Sequence, residues 1–182
     1  ITAKDEEYNG LAKSVAKHVG ALDGIIHNAA LLGARTPLEF YPAPEWQKVM
    51  QVNVNAVFYL TKALLPVLSK SRDARIVFIS SSVGRVGRAY WGAYAVSKFA
   101  IEGLMQTLAA ELENTSNIRV NSLNPGAVST KMRQAAYPAE DPGLQPCPES
   151  LMPIYLYLLS SEAKTLHGQT LNAREFNFQT QR

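Results

Sequence analysis

Short apolar runs of strand length alternate with long helical patterns along this chain, and that alternation restricts the possible folds more than any other feature. Arg75–Ser80 is a continuous apolar run of the length of a strand buried on both faces. Leu22–His27, Ile118–Asn124 and Gly168–Ala173 read as three more strands. Between them, 44–69 and 90–114 carry apolar residues at helical spacing: Trp46, Val49, Val57 and Leu64 in one, Ile101, Leu104, Leu108 and Leu112 in the other. Pro66 is expected to kink the first of these or end it early. Further helices are predicted over 5–19, with Asp5, Glu6 and Glu7 in the first turn and Gly20 as the stop, and over 148–161. Strands joined through long helices require crossover connections, so the chain is expected to be α/β with a parallel sheet. Such a sheet binds ligands beyond the carboxyl ends of its strands.

The 182 residues fit one domain, and no repeat, linker or low-complexity tract divides them. A net charge of +3 spread along the chain argues against a nucleic-acid surface. Cys147 is the only cysteine; it excludes an internal disulfide, and with prolines on both sides and no base nearby it reads as a passive thiol. No run approaches the roughly 18 apolar residues of a membrane span, and no signal peptide is visible, so a cytoplasmic protein is expected. His18, His27 and His167 each lack a second ligand at metal-binding spacing, and no metal is expected.

Chemistry concentrates where strands end. Tyr94 and Lys98, four residues apart near the start of a helix, project from one face. A free phenol titrates near 10 and is a poor base at neutral pH, whereas a neighbouring ammonium favours the phenolate. Taken alone, such a pair is an ordinary exposed helical pair. Ser81, however, closes the apolar strand thirteen residues earlier, and a hydroxyl there can donate to a carbonyl oxygen as it becomes an alkoxide.

Ser81, Tyr94 and Lys98 together resemble the catalytic set of the short-chain dehydrogenase/reductase family. Three further landmarks match in order: His27-Asn28-Ala29-Ala30, Asn53 in Val52-Asn53-Val54, and Asn124-Pro125-Gly126-Ala127-Val128-Ser129-Thr130. The segments Met50–Ala56 and Ser81–Arg85 also look like the YciK-type bacterial branch of that family. The resemblance implies a Rossmann-like, doubly wound sheet and a hydride transfer between NAD(P), with NADP slightly favoured, and a carbonyl or alcohol carbon. Tyr94 would exchange the hydroxyl proton; Lys98 would lower its pKa and hold the nicotinamide ribose. Ser81 would orient the carbonyl, and Asn53 would hold a water linking Lys98 to solvent. Asn28, Ala29 and Ala30 would approach the adenosine side of the cofactor, and Pro125, Gly126, Val128 and Thr130 the nicotinamide. Ser81, Arg88, Tyr90 and Trp91 would face the substrate, although Tyr90 and Trp91 could equally be packing residues, and Arg85 and Arg88 solvated arginines.

The chain also departs from the family. The glycine-rich first turn that places a pyrophosphate at a helix N-terminus has no counterpart, and the chain begins at Ile1. The first strands, with the residues that choose NAD or NADP, are therefore expected to be missing, leaving a C-terminal catalytic portion that is inactive by itself. Ala30 stands where the family favours glycine, and Asn172-Ala173-Arg174 where many members carry Asp-Gly-Gly. Only about 55 residues follow Gly126, enough for an irregular lid over 132–150 but not for a large substrate region. A dehydratase or epimerase using the same Tyr and Lys, and a non-catalytic interaction protein, are the alternatives. The family pairs through its two long helices, here 44–69 and 90–114, and the small residues Ala93, Ala100, Gly103 and Ala109 predict a homodimer or homotetramer.

Overall fold

A computed structural model describes residues 5–178 of the chain. Four strands, β1 (Gly24–His27), β2 (Arg75–Ile79), β3 (Arg119–Asn124) and β4 (Thr170–Asn172), form one sheet in the order β1-β2-β3-β4, and every pair is parallel. Six α-helices connect or flank them: α1 (Asp5–Val19), α2 (Ala43–Met50), α3 (Ala56–Leu68), α4 (Gly92–Leu112), α5 (Lys131–Ala136) and α6 (Met152–Leu159). The expected α/β class is the observed one. Strand and helix ends lie within a few residues of the sequence boundaries: the first strand begins at Gly24 rather than Leu22, and the last covers only 170–172.

The two faces of β2 show why its run is apolar throughout. Ile76 and Phe78 point into a core shared with α1, α3 and α4 through Ala12, Leu64, Ile101 and Met105. Val77 and Ile79 point the other way, into a second core with Ile154, Tyr157 and Leu158 of α6. Helices on both faces leave no solvated side, so alternation disappears from the sequence. One consequence decides where chemistry can occur: His27, Ile79 and Asn124 end three adjacent strands side by side.

The predicted helix 44–69 is continuous but not uniform. Gln51–Asn55 forms a π turn between α2 and α3, closed by the Ala56 N–H donating to the Gln51 carbonyl. Pro66 neither ends nor shortens α3, contrary to expectation. It occupies the last turn, where one backbone bond is forfeited while Val67 and Leu68 stay buried and Ser69 N–H again reaches Leu65 O at 2.9 Å. The helix predicted over 90–114 starts at Gly92, because Tyr90 is left-handed with φ 70°. The helix predicted over 148–161 is a 3-10 turn (Pro148–Leu151) followed by α6. The lid over 132–150 is more ordered than its prolines suggest: Thr130 accepts from Arg133 N–H and caps α5.

Candidate active site

Strand β2 delivers the floor of the site. Ser80 N–H continues the ladder onto Leu123 O at 2.8 Å, and Ser81 follows in extended conformation, its hydroxyl accepting from Val83 N–H at 3.4 Å. The chain then turns through Ser82–Gly84 against α4. Only glycine fits at 84: a Cβ there would lie 2.7–2.9 Å from the Cβ, C and O of Lys98. This close approach sets Ser81 beside the first two turns of α4, where Tyr94 and Lys98 are both buried, at 8% and 4% exposure.

Burial controls the charge of this pair. The Lys98 ammonium donates to the Ile79 carbonyl at 2.6 Å and lies 5.5 Å from the centre of the Tyr94 ring. Desolvation pulls the Lys98 pKa down to about 8, opposed by the negative charge of Glu102 one helical turn away. Desolvation raises the Tyr94 pKa, and a hydrogen bond with Ser81 offsets part of that rise. Lys98 was expected to lower the Tyr94 pKa; burial instead raises it, and Tyr94 is a neutral phenol at neutral pH.

Asn53 is buried at the π turn, and its side chain is occupied. Its Oδ1 accepts from Leu31 N–H at 2.8 Å; its Nδ2 donates to Leu31 O at 2.9 Å and to Ser97 Oγ at 3.0 Å. Ser97 Oγ in turn donates to the Tyr94 carbonyl at 2.7 Å. Asn53 thus ties the loop after β1 to the helix that carries Tyr94 and Lys98.

A cleft of about 990 Å³ opens over these strand ends. Asn28 and Ala30 line it from the loop after β1, Ser80 and Ser81 from the end of β2, Tyr94 from α4, and Pro125, Gly126, Val128 and Thr130 from the turn after β3. Arg88 and Trp91 also line it. Ala29 and Tyr90 do not: both are exposed and outside the lining, Tyr90 being turned to solvent by its left-handed backbone. Gly126, at φ 78°, lets the turn fold so that its N–H donates to Asn124 Oδ1 at 3.0 Å. His27 sits behind the cleft, stacked on Phe78 and hydrogen-bonded to Thr61. Burial lowers its pKa to about 4. Thr61 already donates to Val57 O, so His27 Nε2 carries the hydrogen it shares with Thr61.

Several participants escaped the sequence. Arg85, read as a solvated arginine, reaches Glu102, Asn172 and the Leu171 carbonyl, and Asn172 also accepts from Asn124. The departure at Asn172 is therefore the node that fastens β4 to the end of β3 and to the turn after β2. Arg133, Tyr137 and Glu140 form the lid side of the cleft, and Arg35 packs against Trp91 and Tyr137 from outside the lining. Arg133 and Tyr137, four residues apart, were the one readable hint, and Arg133 pairs with Glu140 through two close contacts. Of the small residues expected on an open helix face, Ala93 and Ala109 instead belong to the core.

Comparison with known proteins gives one answer. Residues 1–141 match the family model for short chain dehydrogenase. The chain is 49% identical over 174 residues to the uncharacterised oxidoreductase YciK of Escherichia coli (strain K12), covering 96% of this chain and 68% of YciK. A short chain dehydrogenase structure from Pseudomonas syringae superposes with a TM-score of 0.93 at 56% identity, over 94% of this chain and 70% of that one. One from Escherichia coli CFT073, complexed with NADPH, gives 0.92 at 49% identity, over 95% and 71%. The chain thus spans about two thirds of the length of YciK. With Ser81, Tyr94 and Lys98 assembled at the strand ends and this breadth of likeness, the chain belongs to the short-chain dehydrogenase family.

Proposed function

We propose that the protein containing this chain is an NADP-dependent oxidoreductase acting on a carbonyl/alcohol pair, with Tyr94 as its proton donor. The observation that carries this is the neutral, buried Tyr94 phenol beside Ser81, on the same helix face as a buried Lys98. The residues present fit a nicotinamide nucleotide: Ser80 Oγ is buried in the lining without a partner, Lys98 is a buried donor, and Asn28, Ala30 and exposed Gly126 leave room above them. The NADPH complex of the Escherichia coli relative supports NADP as the nucleotide. A bound reduced nicotinamide supplies a hydride to the carbonyl carbon.

The rest falls to side chains of this chain. Ser81 donates to the carbonyl oxygen and fixes its position. Tyr94 gives its proton to that oxygen as negative charge develops. Lys98, cationic below pH of about 8, then stabilises the phenolate left behind. Asn53 positions the helix that carries both. Because burial disfavours the phenolate, Tyr94 is in the protonated form that carbonyl reduction requires at neutral pH.

Residues 1–182 are read as one domain, the C-terminal catalytic portion of the whole protein, and as inactive without the remainder. Phe58 on α3 and Val96 and Phe99 on α4 are exposed large apolar residues, with open space at Gly103, which supports pairing of two copies through these helices. Among the described residues no helix is long and apolar enough to cross a membrane; the exposed free thiol of Cys147 supports a reading of the protein as cytoplasmic.

The test is Tyr94→Phe in the full-length protein, followed by NADPH oxidation with a carbonyl panel and by NADPH fluorescence. Turnover should fall by about 10³-fold or more while NADPH affinity stays within about twofold. Retained turnover would remove Tyr94 from the chemistry.

A further inference from the structure

Resting on the carbonyl-reduction reading above, we propose that the substrate is an uncharged carbonyl compound with a flat, ring-sized apolar body, held against Trp91 and Tyr137, and that Arg35 is the positioning residue for those two rings. Trp91 lies 5.7 Å from Tyr94 and 6.0 Å from Tyr137, centre to centre, so the three rings form one continuous wall beginning at the reacting phenol. Met132 and Ala136 extend it. The spacing leaves no slot between Trp91 and Tyr137; a ligand lies against the wall, where flat apolar surface is best matched.

Arg35 comes from the loop after β1 and lies outside the cleft lining. Its guanidinium stacks 4.0 Å from the Trp91 ring centre and 5.3 Å from that of Tyr137. Its Nε donates to Tyr90 O at 3.2 Å and its Nη1 to Ala136 O at 3.0 Å. One planar side chain thereby joins the turn before α4 to the end of α5. It also holds the carbonyl of the one non-glycine residue with positive φ among those described, a conformation that persists only where its surroundings fix it.

Charge in this part of the cleft is already committed. Arg133 stacks on Tyr137 at 3.8 Å and pairs with Glu140, which also accepts from Gln145. Arg35 keeps its charge but lies outside the lining, directed at two carbonyls and two ring faces. Arg88 is exposed and solvated at the mouth. An ionised group entering beside Trp91 would lose water and meet, in the lining, only Arg133, which Glu140 already neutralises, short of exposed Arg88; an apolar ring loses nothing polar.

The experiment uses full-length protein, NADPH, and the matched pair 1-tetralone and its 6-carboxylate. The difference in emission between the wild type and Trp91→Phe isolates the Trp91 signal. 1-Tetralone should quench that fluorescence saturably, and the carboxylate should show a KM at least tenfold higher. Arg35→Ala should raise the KM for 1-tetralone about tenfold with kcat changed less than threefold. Arg35→Lys should not restore it, because an ammonium can neither stack nor donate in a planar fork. Equal or better use of the carboxylate overturns the substrate class, and rescue by lysine, or an unchanged KM in Arg35→Ala, overturns the role of Arg35. If 1-tetralone quenches Trp91 but no carbonyl in any panel is reduced, the binding site stands and hydride transfer fails. Reduction of oxo acids in place of 1-tetralone would leave hydride transfer standing and sink this inference.

Discussion

Tyr94 and Lys98 sit on a helix packed against two strands, with Gly84 pressed onto the Lys98 backbone and Asn53 and Ser97 tying the turn below. Met132–Glu140, on the lid side of the same cleft, is held by stacked guanidinium groups, one ion pair and a short helix. The floor is fixed by packing and by buried polar bonds with no slack; the lid is fixed by contacts at the surface that water competes for. A reaction that needs a proton donor aligned within tenths of an ångström uses the first kind of construction. Recognition of a substrate that must enter and leave suits the second.

Substitutions in the floor should therefore act strongly on chemistry or folding, and those in the lid on substrate affinity alone. The largest effect is expected at Lys98. Lys98→Met should cut turnover by about 10²–10³-fold while raising unfolding free energy by about 1–3 kcal/mol, because a buried cation whose pKa has dropped from 10.5 to about 8 costs stability at neutral pH. The same shift has a pH signature in the wild type. Reductase activity should decline as pH rises through about 8, while stability rises between about 8 and 10.5, where the unfolded chain holds the proton longer than the folded one. Kinetics and denaturant titration at matched pH values separate the two. A Lys98→Met protein that loses stability would break the comparison.

Next in size is Gly84→Val, expected to cost about 2–4 kcal/mol by urea unfolding, since its Cβ meets helix backbone and not a flexible side chain. His27 gives a smaller, conditional effect. Its pKa falls from 6.5 to about 4 on folding, so its contribution is intact above about 6.5 and is lost as pH drops toward 4, by about 2–3 kcal/mol in all. His27→Asn should flatten that acid limb. The smallest effect belongs to the lid: Glu140→Gln should leave the unfolding midpoint unchanged and raise the substrate KM only a few-fold, and a large loss of stability there would show the lid to be part of the core.

The sequence made the floor legible and the lid largely not, for a physical reason. Ser81, Tyr94 and Lys98 are placed by regular elements whose periods can be read, and strand β2 announces itself by being apolar on both faces. The lid depends on contacts between residues far apart in the chain, such as Arg35 with Ala136, which no period encodes. Arg85 looked like any surface arginine because its partners, Glu102 and Asn172, come from α4 and from the end of β4. The Tyr94 pKa was misjudged because charge can be read from a sequence and burial cannot. Pro66 was overrated because the cost of a proline depends on whether it falls in a helix interior or its last turn.

The account stands most directly on hydride transfer governed by Tyr94, and isotope transfer measures it. NADPH carrying deuterium at the reactive C4 position is incubated with full-length protein and 1-tetralone or another reducible carbonyl, and the product is analysed by mass spectrometry and NMR. The predicted result is deuterium on the new carbinol carbon in wild type, with the rate of label transfer at least about 10³-fold lower in Tyr94→Phe. Bound NADPH with no label reaching any carbonyl, or equal label transfer in Tyr94→Phe, would contradict it.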